Sequence, residues 1–320
     1  MTATGRGLAD GRAIELRGKR VPFVSATVVR AERPTSAKAG DNAIVLADGT
    51  IEGFVGGACA ESSVRTEALD CLGRGASMLL RIVGGESIGV GAGSVDPVGQ
   101  RTVANPCLSG GTLEIFLEPI IPPALVYTIG TSPIALALSR GASLFGFDLR
   151  LVDDLPSPLP NDVAAVVVAS HGRSEESALT IALDADVPYI GLVASNRRGQ
   201  SVLESLGLGR SRLERVSTPA GLDIGAQTPE EIALSILAEI VAERPRPDLS
   251  TSTASGAAAP SRSSRAEQAQ PATSIDPVCG MTVAAVPASL QVEHIGQTVY
   301  FCGPGCVQAF TASPDDYSLR

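Results

Sequence analysis

The chain has 320 residues, a hydrophobic content of 44%, an aromatic content of 3% and a formal net charge of −9. This acidic, ring-poor composition argues against a nucleic-acid partner, because no basic stripe replaces phosphate counterions and few rings could stack on bases. No apolar run approaches the roughly 20 residues of a membrane helix, and the first residues lack the apolar core of a secretory signal. We therefore expect a cytoplasmic protein, in which six cysteines are more typical of reactive or metal-binding thiols than of disulfides.

The first predicted elements are a strand, a hairpin and a helix. β-Branched residues over 22–30 predict the strand, and Asp48-Gly49 between two apolar runs predicts the hairpin.

The helix opens at a pair of glycines. Gly56 and Gly57 precede a helical pattern whose first turn contains Cys59 and Glu61. Such a start exposes backbone N–H groups and the positive end of the helix dipole, which would suit an anionic ligand and stabilise a thiolate. It is also typical of an ordinary strand-to-helix turn.

A short strand over 78–83 is followed by a Gly-rich stretch over 84–104, which we predict to be a long loop. The loop leads to the sequence NPCLSGGTLEIFLEP, which begins at Asn105. Its second half alternates Leu, Ile and Leu with Glu, Phe and Glu, and this period of two predicts a strand. Its first half is a turn with candidate ligand-binding residues, namely Cys107, Ser109, Gly110 and Gly111. The alternative is that Cys107 is a small buried hydrophobe.

After residue 119 the pattern changes to alternating strands and helices. An apolar run over 125–129 leads into Gly130, Ser132 and a helix, and the next strand ends at Asp153, 23 residues after Gly130. This is the layout of a dinucleotide-binding βαβ unit. The glycine fingerprint is incomplete, and Pro133 removes one N–H that a pyrophosphate could use, so the pattern favours the fold more than NAD binding.

Two further strands, over 163–169 and 188–194, end at His171 and Ser195. Ligands of open α/β sheets bind outside the carboxyl ends of the strands, so Asp153, His171 and Ser195 would face one crevice. His171 is equally consistent with a structural role. A capping box at Thr228 starts the last helix of this region, which we predict to end near Ala242.

Residues 244–274 are mostly Ser, Ala, Thr, Pro, Arg and Gln, and they predict a flexible linker. The tail beyond it contains Cys279, Cys302 and Cys306, and fewer than 50 residues bury too little apolar surface to be stable without a staple. Three thiolates select Zn²⁺ or Cu⁺, with His294, or Met281 for copper, as a further ligand. The alternative to a metal site is a disulfide between two of these cysteines. The metal site itself would serve metal sensing or delivery, or would be a structural zinc site.

The tail resembles the YHS family of small metal-linked modules. The resemblance rests on DPVCGM, which ends at Met281, and on a YFC-x3-C core that ends at Cys306.

Residues 20–242 resemble the XdhC/CoxI family of molybdenum hydroxylase accessory proteins. The resemblance runs in order through PFVSATVVRAERPTSAKAGDNAIVLADGTIEGFVGGACAE, PCLSGGTLEIFLEP, GTSPIA, PYIGLVAS and AGLDIGAQTPEEIALSILAEI. It implies a chaperone that binds the molybdenum cofactor (molybdopterin), supports its sulfuration and inserts it into a hydroxylase of the xanthine dehydrogenase or CO dehydrogenase type. The implied partners are that client enzyme, a cysteine desulfurase and a second copy of the chain.

We therefore predict an α/β protein with four segments. These are an XdhC/CoxI-like α/β domain (1–118), a Rossmann-like parallel-sheet domain (119–243), the linker (244–274) and a YHS-like metal-binding module (275–320). The favoured function is cofactor binding and maturation without a catalytic residue. The predicted cofactor-binding residues come from the two glycine-flanked turns and from the Rossmann-like domain. They are Gly56, Gly57, Cys59, Glu61, Cys107, Ser109, Gly110, Gly111, Gly130, Ser132, Asp153 and His171. The alternative is an NAD(P)-dependent oxidoreductase that uses Asp153 on the ribose hydroxyls.

Overall fold

A computed structural model of the chain describes residues 5–84, 99–105, 111–244 and 272–317, with side chains from residue 11 onward. The described residues form two compact units. Unit 1 contains the residues up to 122 together with the C-terminal residues 272–317, and unit 2 contains residues 123–244. The C-terminal residues thus belong to the same compact unit as the N-terminal ones.

Unit 1 is built on a six-stranded mixed sheet. Its strands are β1 (Phe23–Glu32), β2 (Asn42–Leu46), β3 (Ile51–Gly53), β4 (Met78–Gly84), β5 (Gln100–Asn105) and β6 (Thr112–Ile120), in the order β3-β2-β1-β6-β4-β5. The pair β4 and β5 is parallel, and the other neighbours are antiparallel. Helices α1 (Gly5–Gly18) and α2 (Ala58–Arg74) belong to this unit.

The alternation predicted for β6 decides which face of the sheet is the core. Leu113, Ile115 and Leu117 are buried in the cluster that includes Val64 and Ala68 of α2. Phe116, which points to the opposite face, is 40% exposed. The period of two thus places α2 over the apolar face and confirms the strand.

Part of the loop predicted over 84–104 is a strand. Residues 100–105 form β5, which pairs in parallel with β4 at the edge of the sheet. Its sequence, QRTVAN, is mainly polar and most of its residues are half-buried. Arg101 forms ion pairs with Glu67 and Asp70 of α2. The prediction of an unbroken loop was therefore wrong at its C-terminal end.

The C-terminal part of unit 1 is a small module of two hairpins and a helix. Its elements are β12 (Thr273–Ile275), β13 (Thr282–Ala284), β14 (Leu290–His294), β15 (Gln297–Phe301) and α8 (Pro304–Ala312). The pairs β12–β13 and β14–β15 are antiparallel. Its core contains Val283, Val299, Phe301 and Phe310 beside the thiols of Cys302 and Cys306.

Unit 2 is the expected doubly wound domain. Strands β7 (Ala124–Ile129), β8 (Phe147–Val152), β9 (Val163–Val168), β10 (Tyr189–Leu192) and β11 (Val216–Ser217) form an all-parallel sheet in the order β11-β10-β9-β7-β8. Its helices are α3 (Pro133–Gly141), α4 (Glu175–Asp184), α5 (Asn196–Ser205), α6 (Arg210–Leu213) and α7 (Pro229–Glu243). One core contains α4 and α5, and the other contains α3 and α7, as a sheet buried on both faces requires. The predicted Rossmann-like fold is confirmed.

Most of the linker predicted over 244–274 lies outside the described residues, and the four-segment division stays a prediction. Within the described ranges, no helix is both long and apolar enough to cross a membrane.

Candidate functional site

The glycine pair predicted to open a helix does so at the start of α2. Gly56 has a φ of +140°, and a Cβ at this position would lie 2.9 Å from the Cβ of Ala60. Gly57 is the N-cap, and no side chain caps the helix there. Cys59 and the half-buried Glu61 lie in the first turn. The first N–H groups of α2 therefore have no acceptor within the helix, which is the arrangement that binds anions.

Asn105, the last residue of β5, is fully buried beside this turn. Its side-chain nitrogen donates to the carbonyl oxygen of Cys59 at 2.9 Å and to the hydroxyl of Ser63 at 3.2 Å. Asn105, two residues before Cys107, is thus hydrogen-bonded to the turn that contains Cys59. No signal in the sequence pointed to Asn105, because both of its partners lie on another element.

The other residues of the second predicted turn are only partly described. Cys107, Ser109 and Gly110 lie outside the described residues. Gly111 precedes β6, and a Cβ there would lie 2.3 Å from the carbonyl oxygen of Pro34. Only glycine fits so close to another backbone.

The three C-terminal cysteines form a cluster of thiols, although they come from different elements. Cys279 follows β12, Cys302 follows β15, and Cys306 lies in the first turn of α8. The Sγ atoms of Cys279 and Cys302 are 3.4 Å apart, and those of Cys302 and Cys306 are 3.6 Å apart. None of the described cysteines forms a disulfide. The ligand atoms of these three thiols and of Asp276 lie within 4.8 Å of one another.

Asp276 holds the backbone around this cluster. One carboxylate oxygen accepts the N–H of Val278 at 2.9 Å and the N–H of Cys279 at 3.4 Å, and the other accepts the N–H of Cys302 at 2.8 Å. Burial alone would favour the neutral acid, but the hydrogen bonds from Cys302 and Val278 outweigh it and lower the pKa of Asp276. The Asp-Pro dipeptide before Cys279 was visible in the sequence, but its role in positioning the thiols was not.

The three thiols of the cluster differ in pKa. A hydrogen bond from the thiol of Cys302 lowers the pKa of Cys279 to about 7. The pKa of Cys302 is raised because it donates that bond and because it is buried, and burial also raises the pKa of Cys306. Cys279 is therefore the thiol that ionises first. In a tetrahedral zinc site the sulfurs lie about 3.8 Å apart, as follows from Zn–S bonds of about 2.3 Å, so the cluster fits such an ion with little movement.

His294, the fourth predicted metal ligand, lies at the end of β14. Its ring packs edge-on against Phe310, with 5.2 Å between the ring centroids. It does not belong to the group formed by the three thiols and Asp276 among the described residues.

In unit 2 the remaining predicted residues lie at the carboxyl ends of strands. Gly130 follows β7, with a φ of +97°, and a Cβ there would lie 2.6 Å from the Cα of Ser170. This contact marks the switch point between β7 and β9, where ligands of such sheets bind. Asp153 follows β8 and His171 follows β9, and both are exposed. The buried hydroxyl of Ser132 caps α3 by accepting the N–H of Ala135 at 3.2 Å.

An ion pair fixes the loop around His171. Glu175, which is 1% exposed, accepts the N–H of Gly172 at 2.7 Å and pairs with Arg198 at 2.6 Å. The guanidinium of Arg198 is thus engaged with the protein, so a phosphate at this edge would have to share it.

Two protein-family descriptions match the chain. Residues 16–83 match the XdhC and CoxI family, and residues 126–240 match the XdhC Rossmann domain. Neither match extends over the C-terminal module, whose resemblance to YHS modules stays a prediction.

Three relatives differ in how much of their length is matched. The uncharacterized protein YqeB of Escherichia coli K12 is 28% identical over 72% of this chain and 45% of its own length. A protein of Bacillus subtilis 168 described as a probable xanthine dehydrogenase subunit is 28% identical over 46% of this chain and 52% of its own. The molybdenum cofactor insertion chaperone PaoD of E. coli K12 is 25% identical over 72% of this chain and 85% of its own. The chain therefore spans about half the length of YqeB and of the B. subtilis protein.

Proposed function

Because the chain belongs to the XdhC and CoxI family, we propose that it binds the molybdenum cofactor, supports its sulfuration and helps to insert it into a molybdenum hydroxylase. The observation that carries the proposal is the similarity to PaoD, which extends over 85% of that insertion chaperone. The client would be an enzyme of the xanthine dehydrogenase type, and a cysteine desulfurase would supply the terminal sulfur.

The start of α2 is the part of the described structure that suits the cofactor best. The first N–H groups of α2, which have no acceptor within the helix, and the helix dipole favour the anionic phosphate of the pterin. Cys59 lies in the same turn and offers a soft sulfur ligand to the molybdenum. Asn105 keeps this turn in place by its hydrogen bond to the Cys59 carbonyl.

The experiment is to purify the full chain from cells that make the cofactor and to measure its molybdenum and pterin content. We expect Cys59→Ala to lower both by at least about tenfold, equivalent to about 1.4 kcal/mol of binding free energy. Cys107→Ala, in the second predicted turn, is measured in parallel.

The matched control is Cys71→Ala, because Cys71 lies on the same helix but is fully buried in the core. It should keep the cofactor even if it loses some stability. Unchanged cofactor content in both Cys59→Ala and Cys107→Ala would contradict the assigned roles.

The position of Asp153 favours a second candidate, an NAD(P)-dependent oxidoreductase. Asp153 directly follows Val152, whose carbonyl accepts the N–H of Gly130 at 3.1 Å, so the acidic residue and the turn glycine are neighbours as in dinucleotide-binding sites. Titration of the full chain with NADH tests this function. Micromolar binding that is lost in Asp153→Ala would support it, and absence of binding would exclude it.

A further inference from the structure

The C-terminal module lies against the N-terminal part of unit 1. Strand β13 packs beside α2. A Cβ on Gly49, in the β2–β3 turn, would lie 2.7 Å from the Cγ2 of Val286, and a Cβ on Gly303 would lie 3.1 Å from the Sγ of Cys59. Two separate contacts therefore bring the module to the hairpin and to the first turn of α2.

The thiol cluster of the module offers a metal three sulfur ligands, but the described residues around it supply no good fourth ligand. Structural zinc sites are almost always four-coordinate. Asp276 is close enough to be the fourth ligand, but both of its oxygens already accept backbone N–H groups, and zinc would have to displace them. His294 packs on Phe310 instead.

Of the other two described cysteines, Cys59 is the one beside the module, because a Cβ on Gly303 would lie 3.1 Å from its Sγ. Its Sγ lies outside the group whose ligand atoms are within 4.8 Å of one another, so zinc binding would draw Cys59 toward the cluster. Gly303, the residue its sulfur faces, separates Cys302 from the first turn of α8, where Cys306 is located. Because residue 303 is a glycine, no side chain fills the space next to the sulfur of Cys59. Cys59 and Cys306 both lie in the first turn of a helix, α2 and α8, and the positive ends of the two helices would stabilise an anionic four-sulfur site.

We propose that Cys59 completes a four-thiolate zinc site with Cys279, Cys302 and Cys306, shared between the N-terminal domain and the C-terminal module. Binding forms four Zn–S bonds, replaces the water ligands of the aqueous ion and releases the thiol protons to solvent, with no change of oxidation state. The site would attach the module to the start of α2 within the same chain. This inference does not need the proposed function, but zinc and molybdenum would compete for the thiol of Cys59, so it concerns the protein without its cofactor.

X-ray absorption spectroscopy of the full chain loaded with one Zn²⁺ tests the ligand set. We expect four sulfur ligands in the wild type and three sulfurs with one lighter ligand in Cys59→Ser. Transfer of zinc to a chromogenic chelator should be at least about tenfold faster in Cys59→Ser. The control Cys71→Ser changes a buried thiol of the same helix and should retain four sulfurs.

Three sulfurs in the wild type, or a nitrogen ligand that disappears in His294→Ala, would overturn the proposal. A second measurement needs no variant and so does not depend on the folding of Cys59→Ser. The wild type is alkylated with iodoacetamide with and without Zn²⁺, and the modified peptides are quantified by mass spectrometry. Zinc should protect Cys59 together with the three C-terminal thiols. Equal labelling of Cys59 in both samples, with the other three protected, would overturn it.

Discussion

Among single residues, Asp276 has the strongest influence on the geometry of the thiol cluster. It is fully buried, and its carboxylate accepts backbone N–H groups on both sides of the cluster, from Cys279 and from Cys302. Bonds to a charged acceptor contribute about 1.5–3 kcal/mol each. One carboxylate therefore joins the turn after β12 to the end of β15.

Asp276→Asn should lower the free energy of unfolding of unit 1 by about 1–3 kcal/mol, because one of the two acceptor oxygens becomes an N–H₂ donor that faces an N–H. Because the pKa of Asp276 is lowered by folding, its contribution is present above the unfolded value of about 3.9 and is lost as the pH falls through the folded value. The difference between wild type and variant in zinc-free denaturant unfolding should therefore shrink below about pH 4. Asp315→Asn, at an exposed position of the same module, should change stability little. A difference that is constant with pH would contradict this explanation.

Gly130, at the switch point of unit 2, is a position where any side chain should be costly. Gly130→Ala places a Cβ 2.6 Å from the Cα of Ser170, in addition to its positive φ. We expect a loss of more than about 2 kcal/mol in the unfolding free energy of unit 2.

Gly146→Ala is the matched control for Gly130→Ala. Gly146 also has a positive φ, +74°, but a Cβ there would meet no atom within 4 Å. Its loss should be limited to the backbone strain of about 1–2 kcal/mol. Equal losses in the two variants would show that the contact with Ser170 relaxes without cost.

Among the secondary-structure elements, α7 packs on the sheet of unit 2 through its apolar face and is also hydrogen-bonded to it through one side chain. Glu239 accepts the hydroxyl of Tyr189 at 2.6 Å, the hydroxyl of Ser217 at 2.7 Å and the N–H of Gly221 at 2.6 Å. Burial and the neighbouring Glu239 raise the pKa of Tyr189, which therefore stays a donor. The carboxylate of Glu239 thus links the helix to β10, to β11 and to the loop after β11.

Glu239→Gln should lower the unfolding free energy of unit 2 by about 1–3 kcal/mol, since an amide accepts fewer and weaker hydrogen bonds than a carboxylate. Denaturant unfolding measures the loss. Glu243→Gln, at an exposed position near the end of α7, should stay within about 0.5 kcal/mol of the wild type. A similar loss of stability in both variants would show that the charge of the helix, and not the hydrogen bonds of Glu239, causes the effect.

The elements that sequence predicted well are those whose signal is local. The alternation in β6 and the capping box at Thr228 depend on neighbouring residues, and both are confirmed. Strand β5 was missed because its pairing with β4 and the ion pairs of Arg101 come from residues distant in the sequence. The same limit applies to Asn105, whose partner Cys59 lies on another element.

For the whole molecule, sequence predicted the family and the Rossmann-like fold, and both are confirmed. It also indicated that the C-terminal cysteines could share a metal, since they are close in the chain. It gave no sign that the module packs against α2, because no motif connects residue 59 with residue 303. Such a contact depends on complementary surfaces, and these form only when both parts are folded.

A metal bound by the module should stabilise unit 1 as a whole, because the module and the six-stranded sheet belong to one compact unit. At a free Zn²⁺ concentration about 100 times the dissociation constant, the unfolding free energy of unit 1 should rise by about 2.7 kcal/mol. Hydrogen exchange measured by mass spectrometry resolves this effect by segment. Protection should increase in α2 and in the module, and it should return to the zinc-free level after chelation. Cys279→Ser should abolish the gain.

Unit 2 serves as the internal reference, since the group of possible metal ligands found among the described residues lies entirely in unit 1. A gain confined to residues 272–317 would mean that the module binds zinc without stabilising its contact with α2.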